Sequence, residues 1–378
     1  MAEVQGPQID SQSTQEIGVD SAVYLKMAAA ALDQARAQDV GEATPTLQLE
    51  RVILQDPYTG IKEMLPSVAV EYAHITVAYP EDSTVETDVM SSDAAPIIFS
   101  FTGVWGKGPE CEGEIIDWAV AQATSKQDLE MYLLTPPGHG LSTDTPEKWR
   151  SAAALDQAAQ VYAAFVRETM KKNPGRKVVI NGWSMGSLLA LKVAAELASV
   201  EAKPGKADVP IEVDQVVVYD PPADSQNFAR LFTTFFAEPA LIAKKAVAES
   251  TPGIKTLSET RIILKRIWHG FTANSGMKLG TVAKASKAVA QHTLVAGGDN
   301  TIERLNKSRS STLPLLVLSG GLGKIVPQEQ IDDLTLLLDE QPNLDVTAKK
   351  IENAGHQGPA TNALSVGAEI HSFMTGKA

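Results

Sequence analysis

Five residues near the middle of the chain, Gly182-Trp183-Ser184-Met185-Gly186, carry the pattern G-x-S-x-G. An apolar run that predicts a strand (177–181) precedes them, and a predicted helix (185–199) follows. A serine on a sharp strand-to-helix turn exposes its hydroxyl at the carboxyl edge of a sheet, where the first amides of the helix can stabilise an oxyanion. The pattern therefore predicts a nucleophile at Ser184 and an oxyanion donor at the Met185 amide.

The same pentapeptide also permits a simpler interpretation. Glycine is common in turns, and Ser184 would then be the N-cap of the following helix, accepting a hydrogen bond from a backbone amide. A nucleophilic serine differs because it needs a general base, and usually an acid that orients this base. The two interpretations are separated by whether the chain supplies these partners.

The composition indicates a folded protein without disulfides or a membrane span. The 378 residues, 44% of them hydrophobic, suffice for one large α/β domain with insertions or for two domains. The single Cys111 excludes an intramolecular disulfide. Residues 1–15 lack the basic start and apolar core of a signal peptide, and no apolar run approaches the ~18 residues of a membrane span. We therefore expect a cytoplasmic protein with no integral membrane segment.

The charge is distributed unevenly. The formal net charge is −13, but residues 228–310 contain 13 Lys/Arg and 5 Asp/Glu, which gives +8 there and −21 elsewhere. The acidic total argues against nucleic-acid binding, and the basic segment is either a solvated surface or a region that attracts anionic substrates. No metal-ligand spacing and no complete phosphate-binding loop occurs, so we expect no metal and no cofactor.

The order of the predicted elements indicates an α/β fold. Residues 1–45 are predicted to form an N-terminal extension that is disordered over 1–15 and helical over 20–39. Strands 47–55 and 69–79 suit an antiparallel edge of a sheet. From residue 96 apolar strands alternate with helices, which is typical of a mostly parallel sheet covered on both faces. The predicted strands are 96–102, 130–134, 177–181, 215–219, 313–319 and 345–351, and the helices are 112–126, 152–172, 185–199, 328–340 and 360–374.

Residues 228–310 interrupt this alternation with helix-like segments at 231–250, 258–271 and 279–295. Because the strands on either side suit one sheet, we predict a core made of 46–227 and 311–378, with 228–310 as a helical cap inserted over the carboxyl edge. A separate helical domain is the alternative.

Residues 96–375 resemble the α/β-hydrolase superfamily. The resemblance rests on four motifs in the order of that family: Phe101-Thr102-Gly103, Pro137-Gly138-His139-Gly140-Leu141-Ser142, Gly182–Gly186 and Gly355-His356. It implies an α/β-hydrolase fold, a serine nucleophile and a histidine base in the loop after the last strand. His356 follows the last predicted strand and is the predicted base, whereas four of the six histidines fall inside predicted strands or helices. His139 also lies in a loop at this edge and is the alternative, but the family uses that position structurally.

The acid is where this chain departs from the family. The family usually places an aspartate a few residues after the strand that follows the cap, and this chain has Gly323 there. The carboxylate has then moved to the end of the preceding strand, where Asp220 and, a little later, Asp224 are available, or it is absent. We predict Asp220, and its alternative role is to cap the turn beside two prolines.

The remaining site predictions concern the oxyanion hole and the acyl pocket. In the family the second oxyanion donor is a backbone amide in the loop after Thr102-Gly103, which assigns it to Val104. Trp105 and Trp183 flank the expected site and are candidate walls of a substrate pocket, or ordinary packing aromatics.

Together these features predict a cofactor-independent serine hydrolase acting on a small-molecule carboxylic ester or thioester. The hypothesis from a different class is a non-catalytic binding or interaction protein of the same fold, which Gly323 favours. The sequence does not predict the oligomeric state.

Overall fold

A computed structural model of the chain describes thirteen stretches: residues 46–55, 69–78, 95–103, 129–138, 142, 153–198, 211–222, 300–307, 311–322, 326–352, 354–356, 358–361 and 363–376. Elements are numbered over these residues alone. The helices predicted at 20–39 and 112–126, and the three predicted within 228–310, lie outside the described residues.

The strands of the described residues form one eight-stranded sheet in the order β1-β2-β4-β3-β5-β6-β7-β8. β1 pairs antiparallel with β2 and β2 antiparallel with β4, while every further pair is parallel. The predicted antiparallel edge and parallel body are confirmed. The strands are β1 (Thr46–Gln55), β2 (Ala69–Ala78), β3 (Ile97–Phe101), β4 (Leu129–Leu134), β5 (Val178–Trp183), β6 (Gln215–Tyr219), β7 (Leu313–Gly320) and β8 (Leu344–Ile351).

The central strands are predominantly apolar because both faces of the sheet are covered. In β3, Ile97, Phe99 and Phe101 contribute to one apolar cluster and Ile98 to another on the opposite face, as the two-residue period of a strand requires. The first cluster includes residues of α1 (Ala153–Lys172), α2 (Met185–Ala198), α3 (Thr301–Lys307) and α4 (Gln328–Asp339). The second includes residues of α6 (Ala363–Thr375).

Helix α2 is buried along nearly its whole length, and it contacts α1, α3 and the sheet. Its one cation, Lys192, is buried and pairs with Asp156 of α1 at 2.6 Å, and its Nζ lies 3.3 Å from Thr301 Oγ1 of α3. Leu305 of α3 is fully buried in the same cluster. Helix α3 is the last part of the predicted insertion, and it packs on the core.

The end of the chain differs from the sequence prediction in one detail. The helix predicted over 360–374 is two helices, α5 (Gly358–Thr361) and α6 (Ala363–Thr375). Among the helices that the structure describes, none combines the length and the apolarity that crossing a membrane requires.

A polar cluster joins strands near the amino edge of the parallel strands. Glu130 of β4 accepts hydrogen bonds from Tyr132 Oη at 3.1 Å and from Arg176, and lies 3.0 Å from His74 Nε2 of β2. Arg176 also donates to the Ala95 carbonyl, at 2.8 and 3.0 Å, just before β3. The His74 hydrogen bond, opposed by burial and reinforced by Arg176, lowers the pKa of Glu130 from 4.5 to about 2.

This cluster predicts a pH-dependent contribution to stability. A carboxyl whose folded pKa is lowered stabilises the native state above its unfolded pKa and loses that contribution as pH falls from 4.5 towards 2. We expect Glu130→Gln to lower the free energy of unfolding at pH 7 by up to about 3 kcal/mol, and the difference from the native chain to shrink below pH 4.5. Urea unfolding at pH 7, 5, 4 and 3 measures both.

Glu168→Gln is the matched control, because Glu168 pairs with Lys171 on an exposed helix surface. We expect it to change the free energy of unfolding by less than about 1 kcal/mol. A Glu130→Gln deficit as small as that of the control, or one that persists unchanged at pH 3, would contradict the assignment.

Candidate active site

Ser184 occupies a strained turn between β5 and α2. Its φ is +57°, in the left-handed region that side chains other than glycine rarely adopt, and the residue is 5% exposed. Its backbone N–H donates to the Tyr219 carbonyl at the end of β6, 2.9 Å away. Ser187 Oγ lies 2.9 Å from the carbonyls of both Gly182 and Tyr219 and so links β5 to β6 below the turn. The predicted sharp turn is confirmed, whereas the serine that was expected to expose its hydroxyl is buried.

The two glycines of the motif are required by close backbone contacts. A Cβ on Gly182 would lie 2.1 Å from the Gly186 carbonyl oxygen. A Cβ on Gly186 would lie 1.9 Å from the Phe101 carbonyl oxygen and 2.7 Å from that of Thr102. Such distances are far inside van der Waals contact, so the first turn of α2 packs directly on the end of β3. The turn at Ser184 depends on this approach.

We expect Gly186→Ala to destabilise the fold by about 3 kcal/mol or more, because the new methyl group meets backbone atoms that cannot rotate away. Helix propensity alone would make alanine more stable than glycine at this position by about 1 kcal/mol. A loss of stability in Gly186→Ala can therefore be attributed to the clash. Gly175→Ala is the control. Gly175 has a φ of +80° and nothing within 4 Å of its Cβ position, so only backbone strain of about 1–2 kcal/mol is expected. Chemical denaturation that finds Gly186→Ala as stable as the native chain would refute this.

His356 lies in the loop after β8, at the same edge of the sheet. Its Nε2 is 3.1 Å from Ser184 Oγ, and the residue is 5% exposed. Backbone hydrogen bonds hold this loop to the one after β7: the Gly321 amide donates to the Ile351 carbonyl and the Leu322 amide to the Ala354 carbonyl, both at 2.9 Å. The loop therefore brings the imidazole to the serine.

Asp220 follows β6 directly and is fully buried, with a φ of +45°. Its Oδ2 lies 3.1 Å from His356 Nδ1, and its Oδ1 accepts a hydrogen bond of 3.0 Å from the Gly320 amide at the end of β7. A carboxylate at Asp220 would accept from Nδ1–H, which would leave Nε2 as the acceptor for the Ser184 hydroxyl. The three side chains form one hydrogen-bonded relay.

The other predicted residues are described only in part. Gly103 lies beside the serine, since a Cβ built on it would be 3.3 Å from Ser184 Cβ, and Met185 is buried at the start of α2. Trp183 is partly buried, with its ring centroid 5.9 Å from that of His356. The predictions for Val104, Trp105, Asp224, Gly323 and His139 fall outside the described residues.

Sequence reasoning missed the hydrogen bonds that support this relay. Tyr219 Oη donates to the Gly355 carbonyl at 2.7 Å, and the Trp183 indole donates to the His356 carbonyl at 2.7 Å. The Gly320 amide donates to Asp220 in the loop after β6, and Ser187 Oγ contacts the Gly182 and Tyr219 carbonyls beside the turn of Ser184. All of these contacts involve backbone groups, which any residue type offers, so the sequence contained no signal for them. Within the described stretches, no three His, Cys, Asp or Glu side chains gather as a metal site would require.

The chain belongs to the alpha/beta hydrolase family. The model of that family matches residues 115–363, which include β4 to β8 and all three members of the relay. The predicted family and its fold are therefore confirmed. No curated protein matches the sequence.

Solved structures show the same fold at low sequence identity. A bromoperoxidase from Bacillus anthracis is 12% identical with a TM-score of 0.52, over 86% of this chain and 100% of that one. A hydrolase from Pseudomonas aeruginosa is 12% identical with a TM-score of 0.50, over 85% and 98%. An enol-lactonase from Burkholderia xenovorans is 15% identical with a TM-score of 0.50, over 81% and 97%.

Proposed function

We propose that this hydrolase-family chain is a serine hydrolase that cleaves a small-molecule carboxylic ester or thioester through an acyl-enzyme on Ser184. The single observation that carries the proposal is the relay in which His356 Nε2 and Nδ1 lie 3.1 Å from Ser184 Oγ and Asp220 Oδ2 respectively. Membership of the family supports hydrolysis, and the geometry supports a serine mechanism.

The proposed chemistry gives each member of the relay a distinct role. Ser184 Oγ attacks the acyl carbon while His356 Nε2 takes the hydroxyl proton, and Asp220 stabilises the imidazolium through Nδ1–H. The imidazolium then gives its proton to the leaving alcohol or thiol, which departs as the acyl-enzyme forms. Water repeats the sequence, with His356 accepting its proton, and releases the acid and the free serine.

The proposed oxyanion donors are the backbone amides of Met185 and Val104. Met185 is the first residue of α2, and the amides of a first helical turn have no partner within the helix. The adjacency of Gly103 to Ser184 supports a donor from the loop after β3, in which Val104 follows. Both donors are backbone groups, so the side chains at these positions are not required for the chemistry.

A binding protein with a degenerate site is the second candidate, because Gly323 stands where the family usually has its acid. Against it, Asp220 is fully buried and hydrogen-bonded to both His356 and the Gly320 amide. A buried carboxylate is costly unless such partners compensate for its lost hydration. The proposal therefore assigns the acid to Asp220.

Acid-quenched mass spectrometry tests the proposal. The chain is mixed with excess p-nitrophenyl acetate, quenched within the first turnovers and digested, and an acetyl group is expected on the peptide that contains Ser184. Ser184→Ala should give no adduct at this peptide and no release of nitrophenol above background. Ester binding without turnover by the native chain would favour the second candidate, and equal turnover by both chains would remove Ser184 from the mechanism.

A further inference from the structure

Trp183 connects the nucleophile to the base. It directly precedes Ser184, and its indole N–H donates a hydrogen bond of 2.7 Å to the backbone carbonyl of His356. The two rings are 5.9 Å apart and inclined by 47°, so the indole lies beside the imidazole without stacking on it. One residue therefore fixes the backbone of the base relative to the backbone of the nucleophile.

Tyr219 makes the corresponding contact from the acid. It directly precedes Asp220, is 2% exposed, and donates through its hydroxyl to the Gly355 carbonyl at 2.7 Å. A Cβ on Gly358 would lie 2.0 Å from that hydroxyl, so the start of α5 is glycine where the phenol enters. Trp183 and Tyr219, which directly precede Ser184 and Asp220, thus both contact the loop that carries His356.

The relay depends on the position of this loop. His356 reaches Ser184 and Asp220 through two contacts of 3.1 Å, at the long end of hydrogen-bonding distance. A further displacement of the loop would break one contact or both, and misplacement by about 1 Å can lower a rate by roughly 100-fold. Bonds to the backbone carbonyls of Gly355 and His356 restrict the loop where the imidazole is attached.

We propose that Trp183 and Tyr219 are positioning residues that hold the His356 loop against the loops of Ser184 and Asp220. This rests on the proposed serine mechanism. The positioning role requires the indole N–H of Trp183, whereas a residue that only lines the substrate pocket would need no more than the aromatic ring. The role of Tyr219 is smaller, since the Gly355 carbonyl also accepts from the Gly358 amide at 2.8 Å.

Trp183→Phe tests the assignment because it keeps an aromatic ring and removes the donor. We expect kcat for an activated ester to fall by about 10-fold or more with KM changed less than about twofold, and a smaller fall in Tyr219→Phe. Tyr162→Phe is the control: Tyr162 is as buried and donates to the Thr135 carbonyl at 2.9 Å, away from the histidine loop. It should leave kcat unchanged.

A double-mutant cycle with His356→Ala separates positioning from substrate contact. A residue that acts only through His356 has no effect once the imidazole is gone, so His356→Ala and Trp183→Phe/His356→Ala should share one residual rate. A pocket wall would instead raise KM in Trp183→Phe and lower the rate by the same factor in both backgrounds. That result would overturn the proposal.

A proton NMR measurement makes the test independent of turnover. The His356 Nδ1 proton, held against Asp220, should give a far-downfield resonance in the native chain without any substrate. We expect Trp183→Phe to shift or broaden this resonance and Tyr162→Phe to leave it unchanged. An unchanged resonance in Trp183→Phe would overturn the positioning role even if Ser184 proved reactive. The serine mechanism itself is tested by a different experiment: it would be contradicted if the native chain formed no acyl adduct on Ser184.

Discussion

Ser184→Ala is expected to lower kcat for an activated ester by roughly 10⁶-fold, the loss seen when a serine protease loses its nucleophile. The reason is that the methyl side chain leaves His356 Nε2 without the hydroxyl that lies 3.1 Å away, so no acyl-enzyme can form. Stability should change little, because alanine fits the same space. Nitrophenol release under saturating substrate measures the effect.

Ser100→Ala is a suitable control for this variant. Ser100 is also fully buried, and its Oγ accepts a hydrogen bond of 3.0 Å from Asn181 Nδ2 between β3 and β5. We expect this substitution to cost about 1–3 kcal/mol of stability and to leave kcat per folded molecule unchanged. A Ser184→Ala chain that retains the activity of Ser100→Ala would remove Ser184 from the mechanism.

Asp220→Asn is expected to lower kcat by about 10⁴-fold. The amide can donate to His356 Nδ1, which favours the tautomer with the proton on Nε2, and that nitrogen can then no longer accept from Ser184. The amide oxygen can keep the hydrogen bond from the Gly320 amide, so the loops should stay in place. Steady-state kinetics of the purified variant measure the loss.

Asp214→Asn is the matched control for Asp220→Asn. The two aspartates stand at opposite ends of β6, and Asp214 Oδ2 also accepts a backbone hydrogen bond, of 2.7 Å from the Val178 amide. Only Asp220 contacts His356, so Asp214→Asn should keep the native kcat. Native activity in Asp220→Asn would mean that the acid lies elsewhere or is absent, and Asp224→Asn and Gly323→Asp would then be the informative variants.

The sequence predicted those parts of the relay that local constraints determine. Ser184 was recognisable because the close approaches of Gly182 and Gly186 leave room for glycine alone, which marks the turn in the sequence. His356 was recognisable from its place after the last strand. The sheet was predictable because strands covered on both faces, such as β3, are apolar in every position or nearly so.

The sequence supported Asp220 as the partner of His356 less strongly, because Asp224 and the absence of an acid remained as alternatives. The ends of β6 and β7 are neighbours at the carboxyl edge, so a carboxylate after either strand can reach one histidine. What distinguishes them is the Gly320 amide, which points its N–H at Asp220 from the end of β7. The loop that usually supplies the acid thus contributes a backbone donor to it, and no residue type in the sequence indicates that.

The bonds from Trp183 and Tyr219 were unpredictable for a related reason. Each joins a side chain to a backbone carbonyl more than 130 residues away along the chain. From its position beside Ser184, the sequence predicts Trp183 either as a pocket wall or as an ordinary packing aromatic, and both interpretations consider the ring without the indole N–H. Contacts of this kind depend on how two loops approach each other at the edge of the sheet, which only the folded chain specifies.

The most direct test of the serine mechanism is labelling of the native chain with a fluorophosphonate, followed by peptide mass spectrometry. We expect a single adduct on Ser184, no adduct there in Ser184→Ala, and much slower labelling in Asp220→Asn. The result that would contradict it is a folded native chain that stays unlabelled, or is labelled elsewhere, under conditions in which a known serine esterase reacts to completion.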